Sequence, residues 1–401
     1  MAPSGPDALG LAVSGGGDSV ALLHLAVAVG LRVEVATVDH GLRPEAAAEC
    51  AAVAGACAGL GVAHEVLRWR WDGMGNLQDA ARRGRLAVLA DWAGRRGLAA
   101  VALGHTQDDV AETFLMRLAR DAGVDGLAAM AARREVSAVA FVRPMLRIGR
   151  GALRAWLLAR GVGWAEDASN ADVRFARVRA RRAVAAMADA GVGAAEIAAL
   201  AERMAEVRAA LDVATAEAAA RVARVDRGDV ILDAGGLAGL PAEVRRRLVL
   251  AAVMWIASAE YGPRGAELER FLRAVAEGRA ATLAGVRMTA GQGRLRLTRE
   301  ARAVAGREGP LGTVWDGRWR VSGPESNGLA DGAVVRALGE KGLAACPDWR
   351  AAGMPRASLL ATPAVWRGDA LVAAPLAGMG AGWAVACDPP KGVLAAAPLS
   401  H

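Results

Sequence analysis

The stretch Ser14-Gly15-Gly16-Gly17-Asp18-Ser19 concentrates the chemistry most clearly. Consecutive glycines let backbone N–H groups approach an anion without interference from a Cβ, and a helix starting behind them adds its partial positive charge. Such a loop suits a phosphate. It is not the Walker loop, because no Gly-Lys-Ser/Thr follows, and it lacks the third glycine of the dinucleotide fingerprint. The plain alternative is a glycine-rich turn with no ligand, against which the leading serine and trailing Asp-Ser weigh. Two more segments cluster polar groups: Val38-Asp39-His40-Gly41-Leu42-Arg43, and Gly104-His105-Thr106-Gln107-Asp108-Asp109-Val110-Ala111-Glu112-Thr113. Asp108 and Asp109 open a helix, so their plain reading is N-capping and first-turn acidity. His105 is either a satisfied core histidine or a contact to phosphate or base. His24 and His64 are read as structural.

These segments need elements to hold them, and the pattern supplies a series of strands and helices. Leu9 to Val13 is a short apolar run ending at the glycines, and Val20 to Val29 is helical. Arg32 to Val38 alternates as a strand does, Glu45 to Leu60 reads as an alanine-rich helix, and Val62 to Leu67 as a third strand. Asn76 to Arg96 is a longer helix, Ala99 to Leu103 a buried strand, and Asp108 to Leu118 a helix. Strands alternating with helices imply a parallel sheet covered on both faces. All three polar segments then lie at the carboxyl ends of strands, where open α/β sheets bind ligands.

Near Pro144 the rhythm changes. Gly149 to Arg160 is helical, Trp164 to Arg182 is polar and arginine-rich, and Ala183 to Arg224 reads as nearly continuous alanine-rich helix. Helices at Ala242 to Ser258 and Gly265 to Ala276 precede strands at Ala281 to Thr289 and Arg294 to Thr298. The remainder is richer in Gly, Pro and Trp, which suggests a β-containing module.

The 401 residues exceed a comfortable single domain, and 54% hydrophobic residues suffice for a packed core. The formal net charge of +7 comes almost wholly from arginine, the lysines being Lys341 and Lys391. Genome composition could produce that bias; the functional reading is a polyanionic partner. Four cysteines without a CxxC pair disfavour a disulfide framework, structural zinc and an iron–sulfur cluster. Neither a signal peptide nor a membrane span is expected, so a cytoplasmic protein is.

Ser14 to Ser19 resembles the pyrophosphate loop of the N-type ATP pyrophosphatases, in which it grips the phosphates that leave when ATP is cut between α and β. Two carboxylates beside an ATP phosphate site would repel the nucleotide without a cation, and Mg²⁺ is the oxygen-loving ion that serves there. Four segments together resemble the tRNA(isoleucine)-lysidine synthetase family: Val38 to Arg43, Asn76-Leu77-Gln78-Asp79-Ala80-Ala81-Arg82-Arg83-Gly84-Arg85, Gly104 to Thr113, and Glu166-Asp167-Ala168-Ser169-Asn170-Ala171-Asp172. The match is close over about residues 9 to 182 and weaker beyond, at Leu240-Pro241, Thr282 to Val286 and Val314-Trp315-Asp316-Gly317-Arg318. Leu86 stands where the family often has tyrosine, Thr106 where it often has a second histidine, and Val178 where an asparagine usually follows the arginine.

The resemblance implies a Rossmann-like PP-loop α/β domain over 1–182, a mainly helical tRNA-binding domain over 183–300, and a β-containing C-terminal region over 301–401. It implies ATP bound by Ser14, Gly15, Gly16, Gly17, Asp18 and Ser19, Mg²⁺ on Asp108 and Asp109, and catalysis by Asp18, Asp39, Arg82, His105 and Asp109. The implied reaction adenylates C2 of the wobble cytidine in an isoleucine tRNA with a CAU anticodon; free lysine then displaces AMP, leaving lysidine. Arg82, Arg85, Arg177 and Arg181 are available for developing charge or for tRNA phosphates. The competing readings are another PP-loop tRNA-modifying enzyme, a thiolase, and a nucleotide- or RNA-binding module without turnover. The lysine pocket and the oligomeric state, a homodimer included, stay open.

Overall fold

The computed structural model describes residues 8–41, 46–71, 73, 77–128, 130–166, 174–259, 262–263, 265–323, 332–380, 382–389 and 394, the side chains of Gln78 and Asp79 excepted. It divides into two compact units, Met1–Arg208 and Ala209–His401.

The first unit alternates as the sequence pattern requires: β1 (Leu9–Ala12), α1 (Gly17–Ala28), β2 (Val33–Asp39), α2 (Ala46–Gly59), β3 (Ala63–Arg68), α3 (Leu77–Arg96), β4 (Ala100–Leu103) and α4 (Gln107–Leu118). There follow α5 (Val124–Leu127), β5 (Arg133–Val136), β6 (Val139–Val142), α6 (Arg150–Leu158), α7 (Ala176–Ala188) and α8 (Ala194–Val222). The sheet order is β3-β2-β1-β4-β6-β5, parallel throughout except for the edge strand β5. From β1 the chain builds outward to β2 and β3, then crosses back to place β4 on the other side. The strand order therefore reverses between β1 and β4, and at such a point the loops splay apart and leave a crevice.

Both faces of this sheet are covered. Leu22, Leu23 and Ala26 of α1 pack with Val53 and Cys57 of α2 and Leu153 and Leu157 of α6 on one face. Leu89, Ala90, Trp92 and Ala93 of α3 pack with Val101, Leu103 and Phe141 on the other. A third cluster joins Val110, Ala111 and Phe114 of α4 to Ile197, Ala198 and Ala201 of α8. The expected continuous helix over 183–224 is broken. α7 ends at Ala188, Gly191 has a φ of +82° that only glycine adopts freely, and the Glu196 carboxylate accepts from the Gly193 N–H at 2.9 Å to start α8. The β5–β6 hairpin is an addition to the expected elements.

The second unit opens on an antiparallel five-stranded sheet, in spatial order Ala223–Asp226, Asp229–Asp233, Arg294–Arg299, Val286–Gly291, Ala281–Leu283. The strand expected over Ala281 to Thr289 is a hairpin, turned at Ala284 and Gly285, both at positive φ. Its core is the helix Ala242–Ala257, buried along Leu248 to Ile256, with Phe271 of the helix Gly265–Ala276. A four-stranded and a three-stranded antiparallel sheet complete the unit. Asp316, in the Val314–Arg318 segment, is buried there and accepts both guanidinium arms of Arg299 at 2.9 and 3.0 Å.

Candidate active site

The loop between β1 and α1 is built for an anion. Gly15 takes a φ of +90°, turning the chain into Gly16, the N-cap of α1. Ser19 ties the loop to its helix: its hydroxyl donates to the Gly16 carbonyl at 2.8 Å and accepts from the Ser14 N–H at 3.1 Å. From the far side, the Ala165 N–H donates to the Gly15 carbonyl at 3.0 Å. The loop opens into a cavity of about 1030 Å³ lined by Ser14, Asp18, His105, Asp109, Arg85 and Arg150 among others.

Arg150, at the start of α6, holds Asp18 and Asp109 of this cavity together with Glu112 in one fork. Its Nε donates to Asp18 Oδ2 at 2.9 Å, its Nη2 to Asp109 Oδ1 at 3.0 Å, and its Nη1 to Glu112 Oε1 at 3.1 Å. Its backbone N–H donates to Asp108 Oδ2 at 2.6 Å. Arg177 donates to Glu112 and Asp109 at 2.9 and 3.3 Å, and Arg181 to Glu112 at 2.8 Å. Glu112 is 1% exposed, so these three guanidiniums are what permit its charge there. Burial opposes the Arg150 charge, but Asp18, Asp109 and Glu112 more than offset it and hold its pKa above the ordinary value.

The other oxygen of Asp18, Oδ1, is buried with no hydrogen-bond partner. Burial raises the Asp18 pKa above the ordinary carboxylate value, although Arg150 pulls the other way. This is a donor set that fits Mg²⁺, which binds one or two carboxylates and takes its remaining ligands from water and substrate phosphates. Among the described residues no three acidic, His or Cys side chains gather into a ready-made cage, so the phosphates would have to complete it.

His105 is pushed down to about 3, first by burial and then by Arg143, Arg85, Arg177 and Arg82. It is a neutral imidazole at physiological pH, and its Nδ1 is buried without a partner. Arg85 lines the cavity with its pKa lowered by burial and by Arg82.

The structure thus gathers Ser14, Gly16, Gly17, Asp18, Ser19, His105 and Asp109 around one cavity. Four sequence candidates lie outside its lining, Gly15 of the loop itself being one. The Asp39 carboxylate accepts from the Gly41 N–H at 2.8 Å, closing the turn after β2. Asp108 is engaged by the Arg150 backbone. Arg82 is exposed on α3, and Arg85, one turn on, lines the cavity instead. Asp109 has a double duty: its Oδ2 accepts from the Thr106 N–H at 2.8 Å in a capping box, while its Oδ1 faces the arginines. Leu42, Arg43, Asn76 and Asp167 to Asp172 lie outside the described residues, as do the side chains of Gln78 and Asp79. Glu112 and Arg150 were missed as site residues. Glu112 stands inside the quoted Gly104–Thr113 segment, whereas Arg150 carries no local signal. Cys50 lines the cavity, but burial, Asp39 and Glu49 raise its thiol pKa, and burial pushes Cys57 up to about 11. Neither is poised as a thiolate nucleophile.

Residues 1–188 match the family model described as a PP-loop domain. The chain is 50% identical over 402 residues to the tRNA(Ile)-lysidine synthase of Ruegeria pomeroyi, covering 99% of this chain and 95% of that one. The chain belongs to the tRNA(Ile)-lysidine synthase family. A second family member, from Methylobacterium nodulans, is 43% identical over 274 residues, 66% of this chain and 80% of its own. Among solved structures, the U34-tRNA thiolase NcsA of Methanococcus maripaludis is 15% identical with a TM-score of 0.44, covering 50% of this chain and 72% of that one.

Proposed function

We propose that this protein is an ATP-dependent ligase that joins free lysine to C2 of the wobble cytidine in an isoleucine tRNA with a CAU anticodon. The cytidine O2 attacks the α-phosphorus of ATP, the bond to the bridging oxygen breaks, and pyrophosphate leaves with the electron pair. The lysine amine then attacks C2, loses a proton, and AMP leaves. A carbonyl oxygen is a poor leaving group and its adenylate a good one, so the protein's work is positioning and charge stabilisation. The observation that carries the reading is the Ser14–Ser19 loop opening, at the sheet's switch point, onto the cavity that also holds His105, Asp109 and Arg85.

In this account the loop N–H groups and the α1 N-terminus receive the departing pyrophosphate. Mg²⁺ would be held by Asp18, Asp108 and Asp109 and would supply Lewis-acid neutralisation of phosphate charge. Arg150 holds the Asp18 and Asp109 carboxylates in place. His105, neutral and with Nδ1 unpartnered, offers a hydrogen bond to phosphate or base. Arg85 offers a positive charge to the reacting centre.

The test supplies ATP, labelled lysine and the CAU isoleucine tRNA to the purified protein. Label should enter tRNA only when ATP is present, with one AMP released for each lysine joined. Transfer of sulfur, or nucleotide turnover that leaves the tRNA unlabelled, would overturn the assignment.

A further inference from the structure

Charges of both signs line the cavity wall. On the β2 side stand Asp39, at the strand's end, and Glu49, in the lining. On the β4 side, past Asp108, Asp109 and Glu112 of α4, which Arg150 engages, arginines predominate, and they continue past the cavity. Arg82 and Arg85 lie in the first turns of α3, which packs across the sheet against β2, β3, β4, β5 and β6. Arg143 follows directly on β6, and its backbone N–H donates to the Ala132 carbonyl at 2.8 Å, at the mouth of the hairpin.

The register of the hairpin fixes which way these side chains go. Arg134 of β5 stands opposite Phe141 of β6, and opposite residues share a face of the sheet. Phe141 belongs to the α3 core, so its face is the α3 face. Arg143 comes two residues after Phe141 and therefore points to the same face. Arg134, Arg143, Arg82 and Arg85 thus converge on one side of the sheet's carboxyl edge. Their charges feel one another: burial together with Arg82 and Arg134 lowers Arg143 to about 10, and burial with Arg82 and Arg208 lowers Arg117.

Like charges in such proximity are costly unless an anion is meant to lie between them. Among the described residues no carboxylate pairs with Arg85, Arg134 or Arg143. Arg143 spends one arm on the Ala131 carbonyl at 2.5 Å, and its Nε is buried without a partner. Arg134 is exposed on the edge strand, open to a ligand too large for the cavity. From β4 to β5 is two strand spacings, about 10 Å, enough to carry a backbone out of the cavity.

We propose that Arg85 and Arg134, backed by the buried charge of Arg143, form a phosphate track on the catalytic unit itself, along which the RNA strand leaves the cavity over β6 and β5 rather than over β2 and β3. This rests on the proposed function, because it takes the occupant to be a single-stranded RNA loop with one base extruded into the cavity. A base flipped from a loop leaves its flanking phosphates at the rim, where guanidiniums can hold them without reading sequence.

The test uses full-length protein and fluorescent CAU isoleucine tRNA at several salt concentrations, with ATP binding measured alongside. Arg134→Glu removes a positive charge from the track, and Arg68→Glu makes the same change at the exposed carboxyl end of β3. Arg134→Glu should weaken tRNA binding about fivefold or more and flatten the salt dependence by about one unit of slope, as expected for a lost phosphate contact. Arg68→Glu should change affinity by less than about twofold, as a remote screened charge does. ATP affinity and melting temperature should hold in both variants. Equal losses from the two variants would mean a general field and overturn the track, as would no loss from either. If the wild-type protein bound ATP but no tRNA, the proposed function itself would fall, an outcome distinct from both.

Discussion

A Cβ placed on Gly104 would stand 2.9 Å from the Cα of Ser19 and 3.1 Å from the Asp18 carbonyl oxygen. The turn after β4 and the first turn of α1 therefore meet backbone to backbone, and only glycine lets them. Neither side can yield as a flexible side chain would. Gly104→Ala should cost about 1–3 kcal/mol through overpacking and should loosen ATP binding by displacing the phosphate loop. Calorimetry and an ATP titration check both effects. Unchanged ATP affinity would show that the loop does not depend on this contact.

Asp18→Ala should leave the fold intact and abolish pyrophosphate release, because its oxygens face Arg150 and the cavity rather than the core. Circular dichroism with a pyrophosphate-release assay separates the two. A folded variant with wild-type release would remove Asp18 from the chemistry.

Asp109 and Asp108 should not be equivalent. Asp109→Asn loses the negative charge between Arg150 and Arg177 and disturbs the Thr106 capping box, whereas Asp108→Asn keeps an oxygen for one backbone N–H. At limiting Mg²⁺ the Asp109 variant should lose activity at least about tenfold more than the Asp108 variant, consistent with a buried charge contact against a hydrogen bond that an amide can replace. Equal losses would return both residues to equal standing at the metal.

Burial of neutral His105 makes stability depend on pH. Its folded pKa of about 3 lies below the ordinary 6.5, so the unfolded chain binds more protons between those values. Stability is therefore full above pH 6.5 and falls as the pH drops toward 3. Between pH 7 and 5 the wild-type protein should lose about 2 kcal/mol more than His105→Gln. Urea unfolding at the two pH values measures it, and equal losses would mean that His105 titrates normally.

What the sequence revealed and what it hid follow from the range of the signals. The glycines of Ser14–Ser19 and the acidic helix start at Asp108 are local features, and a parallel sheet carries both to strand ends. Arg150 meets Asp18 across 132 residues and Glu112 across 38, so nothing near it in the chain marks it out from the other arginines. The β5–β6 hairpin is short and its edge strand is charged, which hides the alternation that reveals longer strands. The break between α7 and α8 rests on Gly191 inside an alanine-rich run whose composition reads as unbroken helix.

The central claim is that this cavity adenylates the tRNA before lysine enters the reaction. Incubating the protein with ATP radiolabelled at the α-phosphate and the CAU isoleucine tRNA, without lysine, tests it directly. Label should appear on the tRNA and be released as AMP when lysine is added. TRNA that stays unlabelled until lysine is present, or pyrophosphate released in the absence of tRNA, would contradict it.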